Sequence, residues 1–290
     1  MSRPANVFSE NYSIDFKLQQ VWSIPHALEF FLLGVGAGQY ILSTWFWPLP
    51  WAQLISLLPV IGAGLSLLAD LGRPERLWRA LANLRQSWIS RGALSVFFFL
   101  AFAFLALFSR WTSSQSQLPL ALESAATLFA LIAMLYPGLV LSSYASIPSW
   151  NSPMVPLLFF LSSWITGLAA EWLVLLALGA ARELAPAMAL GLVLFPITLL
   201  CLLIHLSSMA RGGAALREGY RLLVRGLLSG WFVGGAVGMG LLLPLVLVAV
   251  ALINPEWLEF SALLSSLFVL AGGFLLRYSI LKAGVYPPLF

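Results

Sequence analysis

Cysteine and histidine are almost absent from this chain. Its 290 residues include one cysteine, Cys201, and two histidines, His26 and His205. One thiol cannot close a disulfide within the chain, hold an iron–sulfur cluster or build a Cys-based zinc site. A haem held by two histidines would need His26 and His205 to face one another, and no haem is expected. No P-loop, HExxH or comparable soluble catalytic motif occurs. Charge is scarce as well. Asp, Glu, Lys and Arg make up 9% of the residues, against about 25% in ordinary soluble domains. So little charge cannot coat a water-facing surface, which excludes a soluble globular protein. The opening segment "MSRPANVFSENYSIDFKLQQVW" is polar and lacks the apolar core of a cleavable signal peptide. The first spanning helix is therefore expected to direct insertion.

Apolar residues are abundant, at 61% of the chain, and the mean hydropathy is +0.94. The fold class this implies is an all-α polytopic membrane protein. A spanning helix needs roughly 20 mostly apolar residues. Eight such stretches can be read, at about 26–47, 50–70, 92–109, 118–147, 154–179, 184–209, 226–253 and 257–280. Prolines and tryptophans mark several ends, as at Pro48, Pro50 and Trp51, or Pro255 and Trp257. Breakers in loops and indole rings at headgroup level account for this pattern. Only two connections are long and polar, 71–91 and 210–225.

With eight spans both termini share one face, together with the connections after the second, fourth and sixth helices. Thirteen of the fifteen Lys and Arg residues fall there; only Arg110 and Arg182 fall opposite. The positive-inside bias puts both termini in the cytoplasm. The two polar loops also resemble one another. Asp70 and His205 sit at equivalent points, and Arg91-Gly92 and Arg225-Gly226 close each loop. This suggests two four-helix halves in parallel repeat, over 26–148 and 149–290, behind a surface segment 1–25. Two unrelated basic loops remain an equal alternative. Gly34 and Gly38, and again Gly230, Gly234 and Gly238, have the spacing of close helix packing.

Ionisable groups in a bilayer are costly and mark function by default. His26 and Glu29 stand three apart at the start of the first helix, on one face. Tyr136 precedes Pro137, which loosens the fourth helix beside it. His26 could instead snorkel at the interface, Asp70 could pair with a loop arginine, and His205 reads as structural. Arg277 and Lys282 read as interfacial anchors. Glu123 and Glu171 fall toward the opposite side.

The stretches "HALEFFLLGVGAG", "LGRPERLWRAL", "SWISRG" and "YPGLVLSSYASIPSWNSPMVPLLFF", in this order, resemble the NrfD/PsrC family. These are the quinone-interacting membrane subunits of polysulfide reductase-like molybdopterin and iron–sulfur oxidoreductases. The resemblance implies two four-helix bundles and a membrane subunit without haem. It also implies a four-cluster iron–sulfur partner joined to a molybdopterin catalytic subunit, acting on a sulfur compound such as sulfite or polysulfide. The quinone, menaquinone or ubiquinone, would react in this subunit and exchange electrons directly with the nearest partner cluster.

Residue by residue, the family's helix-1 Asn matches His26, its His matches Glu29, and its Tyr before Pro-Gly matches Tyr136. The His26/Glu29 pair differs in type but can bond a quinone oxygen and exchange its proton. Asp70 would border that site, and with Arg91 would organise the loop and could relay protons. Arg73, Arg76, Trp78, Arg79, Arg85, Trp88 and Arg91 would dock the partner, charge against acidic groups and indole against apolar surface. The basic loop and this docking face are read as cytoplasmic. A proton path across the bundle would have only Glu123 and Glu171 as acidic members. Two other readings stay open: a secondary transporter or ion-translocating protein, and a structural anchor without a working quinone site.

Overall fold

The computed structural model describes residues 16–70, 84–85, 87–112 and 117–287. Eight helices are long and apolar enough to cross a membrane. They are α1 (Ile24–Trp45), α2 (Pro50–Asp70), α3 (Trp88–Thr112), α4 (Leu118–Ser142), α5 (Met154–Ala177), α6 (Ala181–Arg211), α8 (Gly230–Ile253) and α9 (Leu258–Lys282). Between α6 and α8 lies a short helix, α7 (Ala214–Val224), in the second polar connection. The expected count holds. Boundaries shift by a few residues, the largest shift being at the end of α4, where Ser142 rather than 147 closes the helix.

Burial separates the helices into two kinds. In the most apolar window of α1, 83% of residues are buried, and in α5, 72%; in α2, α3, α6 and α8 the share is 33%. The first two form the spine, and the others present one face to lipid. The spine closes where Gly38 meets Gly167. A methyl on Gly38 would overlap the Ser163 carbonyl, and one on Gly167 would lie 2.5 Å from the Gln39 nitrogen. Small residues let two backbones touch, which in lipid replaces the hydrophobic drive as the source of association.

The glycines of α8 behave differently from the expectation. Gly230 and Gly234 face open space, and Gly238 has only its own helix nearby. The helix is wound as a π-helix over Gly230–Leu242, with i→i+5 hydrogen bonds. Gly235 and Gly240 are the pair that packs, against Leu275 and Gly272 of α9.

The two ends of the described chain are sewn together. Lys17–Leu18 (β1) pairs antiparallel with Val285–Tyr286 (β2). Gln19 Nε2 donates to the carbonyls of Trp22 and Leu281, each at 2.9 Å, and its Oε1 accepts from the Trp22 N–H at 2.8 Å. Trp150 Nε1 reaches the Ile280 carbonyl at 2.9 Å. Nearby, Asn151 Nδ2 donates to the Ser142 carbonyl at 2.6 Å, satisfying one of the four open carbonyls at the end of α4.

Candidate functional site

A cavity of about 410 Å³ opens among α1, α2, α3 and α4. It lies where α2 ends and α3 begins, on the side of the 71–91 loop. Each wall follows from local sequence. Pro25 sits in the first turn of α1, where a missing N–H costs nothing. That start puts His26 and Glu29 on consecutive turns facing inward. The N–H of Ser23 contacts His26 Nδ1 at 3.5 Å, and the imidazole lies 4.8 Å from the Trp22 ring centre. His26 thus stands at the rim, partly engaged with the helix start.

Glu29 is only 5% exposed and Tyr136 6%. The Tyr136 hydroxyl donates to Glu29 Oε1, closing the inner end of the cavity with a hydrogen-bonded acid–phenol pair. Pro137 removes the N–H that would bond the Ala133 carbonyl, so the helix is weakened one residue from the tyrosine. Gly92 supports the ring from the other side. A methyl there would overlap the Tyr136 ring carbons, so only glycine lets α3 approach so closely. The turn before Gly92 is capped by Ser87, whose hydroxyl accepts from the Ser90 N–H at 3.2 Å. Phe30 braces the tyrosine edge-on at 6.1 Å between ring centres. The remaining lining is apolar, including Ala63, Gly64, Leu67, Ala93 and Val96.

The structure brings His26, Glu29 and Tyr136 to one cavity. Asp70 ends α2 two residues past the lining residue Leu68, and its side chain lies outside the described residues, as do Arg73, Arg76, Trp78 and Arg79. Of the proposed docking residues that are described, Arg91 lies 4.5 Å over the Trp88 ring. Its guanidinium donates to the carbonyls of Leu84 at 2.9 Å and Arg85 at 2.6 Å. Arg91 therefore ties the loop end to α3, and Arg85 is exposed. Sequence reasoning missed Trp22, Gly64, Gly92 and Tyr144 as parts of the site. Gly92 carried a signal, the "SRG" that opens α3; the others did not.

Arg277, Glu123 and Glu171 are buried elsewhere. Arg277 is fully buried, not an interfacial anchor. Its Nη1 donates to Ser162 Oγ at 2.9 Å and the Gly273 carbonyl at 3.0 Å, and its Nη2 to Ser163 Oγ at 3.1 Å. Gly34 and Gly273 leave the room that a guanidinium needs between α1, α5 and α9; a methyl on Gly34 would meet Arg277 Nη2 at 2.5 Å. Glu123 is held by Arg110 through paired contacts of 2.7 and 2.8 Å, with Gln53 at 3.4 Å. Glu171 is fully buried, and neither carboxylate oxygen is in hydrogen-bond geometry with another described residue.

Fold and cavity together define a multi-pass helical membrane protein with an apolar, polar-ended cavity at the loop-side ends of α2 and α3. The family model described as "Polysulphide reductase, NrfD" matches residues 13–287. The C subunit of polysulfide reductase from Wolinella succinogenes is 32% identical over an alignment of 305 residues, covering 91% of this protein and 94% of that one. The chain belongs to the NrfD family of membrane subunits.

Proposed function

We propose that this protein is the quinone-reactive subunit of a polysulfide reductase-like complex, passing electrons between quinone and an iron–sulfur partner. The observation that carries the reading is the Glu29–Tyr136 hydrogen bond at the inner end of an apolar cavity. A flat apolar ring with two carbonyl oxygens fits such a donor set, one acid, one phenol and one imidazole around hydrocarbon walls. Bound there, a quinone supplies two-electron, two-proton chemistry. Glu29 exchanges the proton, because a carboxyl can carry it in one state and accept it in the other. Tyr136 orients Glu29 by donating its one hydroxyl proton to the carboxylate, and turns that proton toward a ring oxygen once Glu29 has itself been protonated. His26, at the rim, links the pocket to water and supplies or removes protons on the loop side.

Arg85, Trp88 and the basic loop that Arg91 holds form the docking face for the iron–sulfur subunit, itself joined to a molybdopterin subunit that acts on a sulfur compound. Charge asymmetry supports a cytoplasmic docking face.

Glu29→Gln in membranes holding the whole complex tests the site. Quinone-dependent turnover is expected to fall about 100-fold or more, the scale of lost acid–base catalysis, with the complex still assembled. Turnover within twofold of the parent would overturn the assignment. Pull-down from mild detergent, with metal analysis, tests the partners. Iron with molybdenum or tungsten, on subunits lacking an export signal, is expected. An exported partner would overturn the cytoplasmic orientation.

A further inference from the structure

The cavity has one side that no described helix closes. Its inner end is backed by α1 and α4, and behind them by α5, which packs on both. Its outer wall is α2 and α3, and these two helices hardly touch each other, although each packs tightly on its other neighbour. The wall residues on that side are small or aliphatic: Ala63 and Gly64 on α2, Ala93 and Val96 on α3. A methyl placed on Gly64 would meet nothing within 4 Å. At the opposite end of the same two helices a second, mainly apolar hollow of about 660 Å³ lies between Leu54 of α2 and Phe104 and Phe108 of α3, with Arg110 also in its wall. From Leu68 to Trp51, α2 rises about 25 Å, close to the hydrocarbon thickness of a bilayer.

We infer that the α2–α3 cleft is a binding site for the polyprenyl tail of the quinone, running from the Glu29–Tyr136 pocket to the hollow at the far side of the membrane. This inference rests on the quinone reading of the pocket. A ring held against Glu29 has a polar rim at His26 and packed helices behind it. Its hydrocarbon substituent therefore has one apolar way out, between Gly64 and Ala93. Free phospholipid acyl chains could fill the far hollow, but they have no reason to reach the inner pocket. A tail covalently joined to the ring does. The site would favour long-tailed quinones over tailless ones, with the cleft contributing recognition that the ring pocket cannot.

The test uses the full-length protein in phospholipid nanodiscs and two probes: a naphthoquinone with a photoreactive group at the end of a long prenyl tail, and 2,3-dimethyl-1,4-naphthoquinone, which has no tail. Cross-links mapped by mass spectrometry are expected on peptides containing Leu54, Leu58, Phe104 or Phe108. Labels spread over the lipid-facing sides of α6 and α8 instead would overturn the cleft. A photoreactive phospholipid that labels the cleft and is not displaced by excess prenyl quinone would do the same. The second readout is the ratio of the two affinities, measured by equilibrium binding. Gly64→Leu narrows the mouth of the cleft without a backbone clash, and is expected to reduce the preference for the tailed quinone at least tenfold. A ratio that stays as in the parent, whether both affinities fall or neither does, would overturn the tail site while leaving the ring pocket standing. Failure of either quinone to bind the parent protein would instead remove the quinone reading, and the tail site with it.

Discussion

The two halves of the molecule treat their central polar groups in opposite ways. In α1–α4, Glu29 and Tyr136 border about 410 Å³ of space. Where α5, α8 and α9 meet, Ser162 and Thr166 border a void of about 10 Å³, room for no more than one water. Arg277 lies beside it with its guanidinium spent on two serines and a carbonyl. Backbone approach makes the difference. α8 and α9 touch through Gly240 and Gly272, where a methyl on either would overlap the other helix. α2 and α3 have no such crossing, and Gly64 faces open space. Packed spans can thus enclose a cavity or close into a scaffold, depending on where backbones meet.

The largest effect should come from forcing the closed half open. Gly272→Val puts two methyls into the Gly240 backbone, and no folded protein is expected on fluorescence-detected gel filtration. Gly64→Val in the open half should accumulate normally, with a melting temperature within about 2 °C of the parent, since exposed-site substitutions cost about 0.5 kcal/mol or less. Equal losses in the two variants would erase the contrast.

Next in size is the pocket itself. Gly92→Ala must displace the Tyr136 ring. Quinone turnover should fall roughly tenfold, from misplacement of a catalytic group by a fraction of an ångström, while thermal stability falls only modestly. Normal turnover would show that the close approach of α3 does not position the tyrosine. Tyr136→Phe removes the hydroxyl and leaves the ring on Gly92, so its defect should lie in turnover without loss of the fold.

A smaller effect is expected at the other end of the first half. Glu123 is 3% exposed while Arg110 is 41% exposed. Removing the arginine strands a buried carboxylate. Arg110→Ala should therefore cost about 1–3 kcal/mol, the range for orphaning a buried polar group, and Glu123→Gln on top of it should recover part of that loss. If the double variant is less stable than Arg110→Ala, the pair is not acting as a buried charge and its partner. The pairing also makes Glu123 a structural member of the bundle, which leaves Glu171, with the Gln39 amide as its polar neighbour, as the buried acid of the far side.

Much of this was legible in the residues. Eight spans follow from apolar runs long enough for a bilayer, because each backbone polar group in hydrocarbon must be bonded within its own helix. His26 and Glu29 stood out as ionisable groups at the start of an apolar helix, whereas Tyr136 joined them only through the resemblance to the NrfD/PsrC family. Arg277 was misread for a physical reason. A late-helix arginine normally snorkels, and nothing local says that Gly34 of α1 and Ser162 of α5, more than a hundred residues away, leave a chamber for it. The α8 glycines were misread because the spacing of Gly230, Gly234 and Gly238 sets them on one stripe of the helix without saying which stripe meets a neighbour.

Composition and periodicity were enough for the class of protein, the number of spans, the charge asymmetry of the two faces and the residues able to exchange protons. These depend on local chemistry and on the bilayer, which acts on every helix alike. Tertiary structure alone decided that α1 and α5 form the spine, that Gly92 seats Tyr136, that Gln19 ties the described start of the chain to the end of α9, and that α2 and α3 stay apart. Each of those depends on which backbones approach within van der Waals contact, a property of pairs of helices that no single helix encodes.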